Sequence, residues 1–576
     1  MHVSCLVTAP NPGNHRFRVT VTLPAAARTL VFPSWAPGSY LLREFVRNVR
    51  DLHAHTTDGT PVRVEKLARN RIRLHAPEGA DVVLTYEVYA HEKSVRTPFL
   101  DAELAFFLPS NLLFHPEDAP DADYALAVDV PDGHVAVCPV AEAVCGPGRA
   151  RFAFADVDTM HDSFVAIGPF QHTSFEVHGI AHHHWIEPGH DGDLARMNDD
   201  LRALVVTAGR MFGDTLPYPR YDFVTLLMAR GHGGLEHKDG CVLLRPRTSL
   251  SAPKEYEEFV TLAAHEHFHA WNVKRIHPDT LGPRFDYARE HYTRDLWWLE
   301  GGTVYYEERI TYRAGKVDAA RHLARLADLV QRVLDSPGAR HQPLEESSFD
   351  AWIKLYRPGE DSPNSTLSYY VKGAVVCLGL DLELRHRSGG RVSLDDVVSL
   401  LWSRWAQHGR PYPERALRDL VAELVPGDAD LLRWFDAHVR GTEPVHVADA
   451  LDHVGIDLVR APARSGSALG IEANERMVVD LVREDGPAAG VLSPGDEILA
   501  VNGFRTTQPS ALAERMTTWA PGTHVVVTLT RDGRVRTAEL VTAAPRAGDV
   551  QLVMRPSVDP ARQALRDAWL ARTLPA

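Results

Sequence analysis

Cysteine is scarce in this chain: five residues in 576, at Cys5, Cys138, Cys145, Cys241 and Cys377. They are scattered, odd in number and free of any CxxC pair. That usage suits reduced thiols in a cytoplasm better than a disulfide framework, and it implies no cysteine zinc site. No stretch of about 18 apolar residues occurs, so no membrane span is expected. The N-terminus, Met1-His2-Val3-Ser4-Cys5, lacks the basic region and apolar run of a signal peptide, and a cytoplasmic location is the expectation. Positive charge is outnumbered as well. With 62 Lys and Arg against 76 Asp and Glu, the net charge of -14 argues against a nucleic-acid partner. Internal repeats and low-complexity segments are missing.

What is present is ordinary for a globular protein: 44% hydrophobic and 24% charged residues. At 576 residues the chain exceeds one hydrophobic core and implies about three or four domains. Residues 1–170 read as an N-terminal antiparallel β domain. Phe17, Val19, Val21 and Leu23 alternate with polar neighbours, Val82 to Tyr89 is a second strand, and Gly and Pro punctuate the intervals. Residues 171–310 are mixed, with an apolar strand at Phe223 to Met228 and helices expected over Tyr256 to Ile276 and Trp297 to Ile310. Residues 311–455 are helical: Leu323, Leu326, Val330, Val333 and Leu334 fall at helical spacing, and Ser393 with Asp396 forms a capping box. A linker at Arg460 to Ser467 leads into a small unit over 456–545, with strands at Met477 to Val482, Glu497 to Val501 and His524 to Thr530. Asp532-Gly533 marks a hairpin turn in it. Residues 546–576 form a terminal helix or a loose tail. The fold class is multidomain α+β.

Within the expected helix over Tyr256 to Ile276 lies His265-Glu266-His267-Phe268-His269, an H-E-x-x-H pattern. Residues four apart share a helix face, so His265 and His269 grip one metal ion together, and Glu266 stands where the base of a zinc hydrolase is needed. A catalytic zinc takes a third protein ligand. Glu300 and Glu290 are the two candidates on the following segment. His267 points off the ligand face and reads as a packed histidine. His182-His183-His184 reads as strand, where only alternate residues share a face, and a metal role there is the weaker interpretation.

Amide hydrolysis at such a centre needs a donor for the oxyanion, and an exopeptidase needs a group that reads the substrate terminus. Gly233-Gly234-Leu235-Glu236-His237 suits terminus recognition, because Gly233 and Gly234 permit close approach of a peptide backbone and Glu236 meets an α-amine. By pattern alone this segment is a turn. Tyr369-Tyr370-Val371-Lys372-Gly373-Ala374 opens an apolar helix, and a tyrosine there suits oxyanion donation, although an aromatic at a helix start is by pattern alone a buried one.

The chain resembles the M61 family of zinc metallopeptidases, the glycyl aminopeptidase family. The strings that carry the resemblance are Trp35-Ala36-Pro37-Gly38-Ser39-Tyr40 with Arg43-Glu44-Phe45; Gly233 to His237; and His265 to His269 with Trp271-Asn272-Val273-Lys274-Arg275-Ile276. They continue with Leu296-Trp297, Glu300-Gly301, Ser348 to Lys354, Tyr356-Arg357-Pro358, Ser362 to Ser365, and Ser368-Tyr369-Tyr370 with Lys372-Gly373-Ala374. The resemblance implies Glu300 as third zinc ligand beside His265 and His269, one Zn2+ per chain, Glu236 as the amine-binding residue and Tyr370, with Tyr369 as alternative, as oxyanion donor. Leu235 and His237 stand where related aminopeptidases carry Met and Asn. The implied fold is an N-terminal β domain, a thermolysin-like catalytic domain, a helical domain and a PDZ domain. The implied activity is removal of N-terminal residues, small ones such as Gly or Ala, from peptides with a free N-terminus.

Gly490 to Gly503 resembles a PDZ core, and Leu469-Gly470-Ile471 its carboxylate-binding loop, where backbone N–H groups hold a peptide or protein C-terminus. Two other function classes stay open: a thermolysin-like endopeptidase, which has no need of Glu236, and a PDZ-mediated binding protein on an inactive peptidase scaffold. The intact set of His265, His269, Glu300 and Glu266 speaks against the latter.

Overall fold

The computed structural model describes all residues except 118, 120, 141, 142, 147, 283, 464, 465 and 573–576. Parts of the linker over Arg460 to Ser467 and of the C-terminal segment therefore lie outside the described residues, as does the side chain of Cys145. Cys5, Cys241 and Cys377 are buried free thiols, and Cys138 is buried as well.

Period-two alternation builds the N-terminal domain. Phe17, Val19, Val21 and Leu23 face inward from the strand Arg16–Leu23, which pairs antiparallel with Val82–Tyr89. Both belong to an 11-stranded sheet whose described pairings are antiparallel apart from His2–Thr8 beside Asp123–Asp129. The inward face closes on its own apolar core, with Phe17, Leu84, Leu126 and Phe152 fully buried.

The next domain is centred on a five-stranded mixed sheet in the order Gln171–Val177, Ile180–Ile186, Arg220–Met228, Gly240–Pro246, Gly233–His237. Arg220–Met228 lies inside it and is buried along nearly its whole length, which is why it reads as a continuous apolar run. Gly233–His237 is the edge strand and runs antiparallel to Gly240–Pro246. The helix Pro253–Phe268 packs against both of these strands.

Two helices differ from their sequence expectation. The one expected over Tyr256 to Ile276 ends at Phe268, with His269 as its cap. The chain then turns sharply: the Asn272 carbonyl accepts from His269 Nδ1, and Val273 adopts φ 131°, a region that β-branched residues rarely enter. The segment expected as a helix over Trp297 to Ile310 begins as a π-helical turn, Trp297–Gly302, and continues as an α-helix, Thr303–Arg313. The Asn272 side-chain amide donates to the carbonyls of Trp298 and Leu299, engaging two acceptors of that turn from outside it.

The helical region packs on the same core. Leu323, Leu326 and Val330 are buried in Ala319–Leu334, while Leu334, at the helix end, is 41% exposed. The capping box at Ser393 and Asp396 is formed with both of its hydrogen bonds. In the small C-terminal unit, Asp532 and Gly533 both take positive φ and join His524–Arg531 to Arg534–Val541 in a two-residue hairpin. The strand expected from Met477 starts at Val479. The strands entering and leaving this unit, Ile456–Arg460 and Val550–Met554, pair with each other, and Val550 N–H bonds Gln331 of the helical region. The C-terminal segment contains a helix, Pro560–Trp569, that buries Trp569 completely. Among the described residues no helix is long and apolar enough to cross a membrane.

Candidate metal site and substrate cleft

His265 and His269 leave the last turn of the helix Pro253–Phe268 on one face, and their Nε2 atoms lie 3.0 Å apart. Glu300 Oε2, from the π-helical turn, is 3.6 Å from His265 Nε2 and 3.3 Å from His269 Nε2. Ligand atoms around a tetrahedral zinc with bonds of about 2.0–2.1 Å are separated by roughly 3.3 Å, so the three donors match the ion's size. The outer nitrogens are held as well: His265 Nδ1 lies 2.5 Å from Glu307 Oε2, and His269 Nδ1 lies 2.7 Å from the Asn272 carbonyl. Those bonds place the ring N–H on Nδ1 and leave both Nε2 lone pairs facing each other, the arrangement a cation requires. Two imidazoles and a buried carboxylate are a zinc-type donor set.

Electrostatics agree with this division of roles. Burial raises the Glu300 carboxyl, but His269 and His265 outweigh it and bring its pKa to about 2. Burial raises Glu266 to about 7, with Glu236 and Glu300 adding to the rise and the two histidines opposing it. Its carboxylate packs against Gly234, where a Cβ would overlap it.

Glu236 is buried in the edge strand, and its Oε1 has no hydrogen-bond partner among the described residues. It forms a second potential ligand group with Glu266 and His269, which brings it to the same centre. Lys274 Nζ lies 3.5 Å from Glu236 Oε1 and 2.7 Å from Asp162 Oδ1. A cavity of about 790 Å³ adjoins Glu236, lined in part by Trp35, Gly38, Tyr40, Lys274, His291 and Trp352.

The helix Tyr369–Ser388 brings the two tyrosines. It meets the π-helical turn backbone to backbone: a Cβ on Gly301 would strike the Tyr369 carbonyl, and one on Gly373 would strike the Trp297 carbonyl. That glycine contact sets Tyr370 close enough to Glu300 for the carboxylate, after burial, to raise the pKa of its phenol. Tyr370 is half-buried, and its hydroxyl lies 2.9 Å from that of Tyr356. Tyr369 is fully buried; its hydroxyl makes no hydrogen bond of regular geometry among the described residues, but it stands close enough to the Tyr356 hydroxyl for the two to perturb each other.

The remaining expected residues are also placed. Glu290 is half-buried in the preceding loop, outside both potential ligand groups. His267 is buried against Tyr218, whose hydroxyl is 2.6 Å from its Nε2. His182 and His184 bond Tyr218 and Thr225. Gly233 and Gly234 lie on the edge strand, with Arg96 donating to the Gly234 carbonyl. Leu469 is in the core of the small unit, Gly470 takes φ 74°, and Ile471 opens a strand paired with Val479–Val482. Sequence reasoning missed Glu307, Asn272 and Tyr356. Glu307 had a signal, since it sits two helical turns beyond Glu300 on the same segment.

An H-E-x-x-H helix with a downstream glutamate beside a mixed sheet, behind a β domain, is the arrangement of a metallopeptidase. Models of known families agree along the chain. Residues 4–169 match the peptidase M61 N-terminal domain, 258–376 the M61 glycyl aminopeptidase domain and 454–542 a PDZ domain. The chain belongs to the M61 glycyl aminopeptidase family. Among solved structures it is similar to an aminopeptidase N family protein from Idiomarina loihiensis, at 27% identity and TM-score 0.90, over 99% of this chain and 100% of that one. It is also similar to an M1 zinc metallopeptidase from Deinococcus radiodurans, at 18% identity and TM-score 0.49, over 77% and 94%. No curated protein matches the chain.

Proposed function

We propose that the protein is a zinc-dependent aminopeptidase that removes N-terminal residues, small ones such as Gly or Ala, from peptides. The observation that carries this reading is the convergence of two groups on His269: His265 and Glu300 on one side, Glu236 and Glu266 on the other. The first is a ligand set, and the second is a base beside an amine-binding carboxylate. Because the groups share His269, the reading assigns one zinc per chain.

His265, His269 and Glu300 would hold a zinc ion, which would supply Lewis acidity and make an attacking water more acidic, toward a pKa of about 7. Glu266 takes a proton from the attacking water and passes it to the leaving amine, a role that suits a buried carboxylate beside the metal ligands. Glu236 anchors the substrate α-amine. Gly233 and Gly234 keep side chains out of the path of the peptide backbone. Tyr370 donates to the oxyanion; Tyr369, with its hydroxyl enclosed, is the weaker choice. In the PDZ domain, Leu469, Gly470 and Ile471 form the loop that receives a peptide C-terminus.

One observation favours a second reading. Lys274 already sets a cation 3.5 Å from Glu236, which suits an endopeptidase with no use for an amine anchor. Zinc content measured beside hydrolysis of glycyl- and alanyl-p-nitroanilide and their N-acetyl forms separates the two. About one zinc per chain with cleavage of the free-amine compounds alone supports the aminopeptidase. Equal cleavage of blocked and free compounds removes it.

A further inference from the structure

The string Tyr356-Arg357-Pro358 has no role in the chemistry proposed for Glu266 and Tyr370, yet its tyrosine reaches the cleft. Tyr356 lies in the turn after the helix Leu344–Phe349, and that turn is held in place. Trp352 Nε1 donates to the His291 carbonyl at 3.0 Å, and its ring meets Trp35 and Tyr40 edge to face at centroid distances of 5.5 and 5.8 Å. Tyr40 in turn packs on Tyr356 at 6.2 Å. The Trp35 to Tyr40 string of the N-terminal domain thus braces the turn that carries Tyr356.

The two hydroxyls, 2.9 Å apart, share one hydrogen bond, and Tyr356 is the partner that Tyr370 has among the described residues. A phenol hydroxyl carries one proton and also accepts. If Tyr370 donates to Tyr356, its proton points away from the substrate. If Tyr356 donates, its proton occupies a lone pair of Tyr370, and the Tyr370 proton is free to turn to the oxyanion. A hydroxyl that accepts one bond is also polarised into a stronger donor.

We propose that Tyr356 is a positioning residue: its hydroxyl donates to Tyr370 and directs the Tyr370 proton at the oxyanion. This rests on Tyr370 being the oxyanion donor. The role is distinct from packing, because replacing Tyr356 by Phe keeps the ring against Tyr40 and removes the hydroxyl alone.

The test compares Y356F, Y370F and the double variant, each zinc-loaded, on glycyl-p-nitroanilide. Y356F is expected to lower kcat about tenfold with little change in KM, the effect of one hydrogen bond. Y370F is expected to lower it about 100-fold or more. The double variant should be no slower than Y370F. A second readout is independent of turnover: calorimetric affinity for aminomethylphosphonate, a tetrahedral anion, against that for glycine. Y356F should weaken the first and spare the second. If Y370F matches the wild type in both readouts, the donor assignment fails and the inference falls with it. If Y370F is impaired while Y356F is unchanged, or if Y356F costs the same factor in both backgrounds, the inference alone is overturned.

Discussion

Glu307 Oε2 and His265 Nδ1 lie 2.5 Å apart, both largely buried, and this contact fixes which ring nitrogen of His265 faces Glu300. A carboxylate behind a ligating histidine orients the ring and raises its basicity. Glu307→Gln retains the shape and loses the charge. Zinc affinity, measured by competition with a chromogenic chelator, should fall about 10- to 100-fold. Unchanged affinity would show that the contact has no part in holding metal.

Glu266→Gln separates base from ligand. Glu266 is not among the three converging ligand atoms of His265, His269 and Glu300, so the variant should keep its zinc. Its kcat should drop by about 100- to 10,000-fold, the usual contribution of a positioned acid–base group. Near wild-type turnover in a zinc-loaded sample would take the base assignment away from Glu266.

Gly38 tests the amine anchor from the opposite side. It takes φ 82° in the N-terminal domain, and a Cβ there would land on the Glu236 carboxylate. Gly38→Ala should displace that carboxylate and raise KM for glycyl-p-nitroanilide about tenfold or more, the loss of one charged hydrogen bond. Glu236→Ala should do the same to a larger extent, and the N-acetylated compounds should stay uncleaved by the wild type and by both variants. If Gly38→Ala melts normally and keeps its KM, the loop does not set the position of Glu236.

These residues differ in how far the sequence reveals them. His265, Glu266 and His269 are legible because four-residue spacing on a helix is local. Phe17 to Leu23 and Asp532-Gly533 are legible because strand alternation and a two-residue turn are local too. Glu307 bonds a residue 42 positions away, and Tyr356 acts through a hydroxyl that only the crossing of two chain segments brings near. The helix expected to reach Ile276 stops at Phe268 because the Asn272 carbonyl caps His269 and the Asn272 amide binds the π-helical turn. Helical spacing carries no trace of such tertiary hydrogen bonds. The family resemblance separates Glu300 from Glu290, and the π-helical turn supplies the physical reason: it aims Glu300 at both histidines.

Lys372 gives a prediction about stability. It sits in the first turn of the helix Tyr369–Ser388, its side chain is buried, and its Nζ has no hydrogen-bond partner among the described residues. Burial lowers its pKa from 10.5 to about 8. Between those values the unfolded chain holds a proton that the folded chain has released, so the stability contribution of Lys372 rises with pH in that window. Below pH 8 both states are protonated, and the cost of burying the charge is complete, on the order of 3 kcal/mol. Lys372→Met replaces the ammonium with an apolar group of similar length. At pH 7 the variant should be more stable than the wild type by up to about 3 kcal/mol, and the gap should narrow steadily between pH 8 and 10.5. Urea denaturation of both proteins across that range measures the gap. A variant that is less stable at pH 7, or a gap that stays constant with pH, would mean that the ammonium is paired in the folded protein and that its burial carries no such cost.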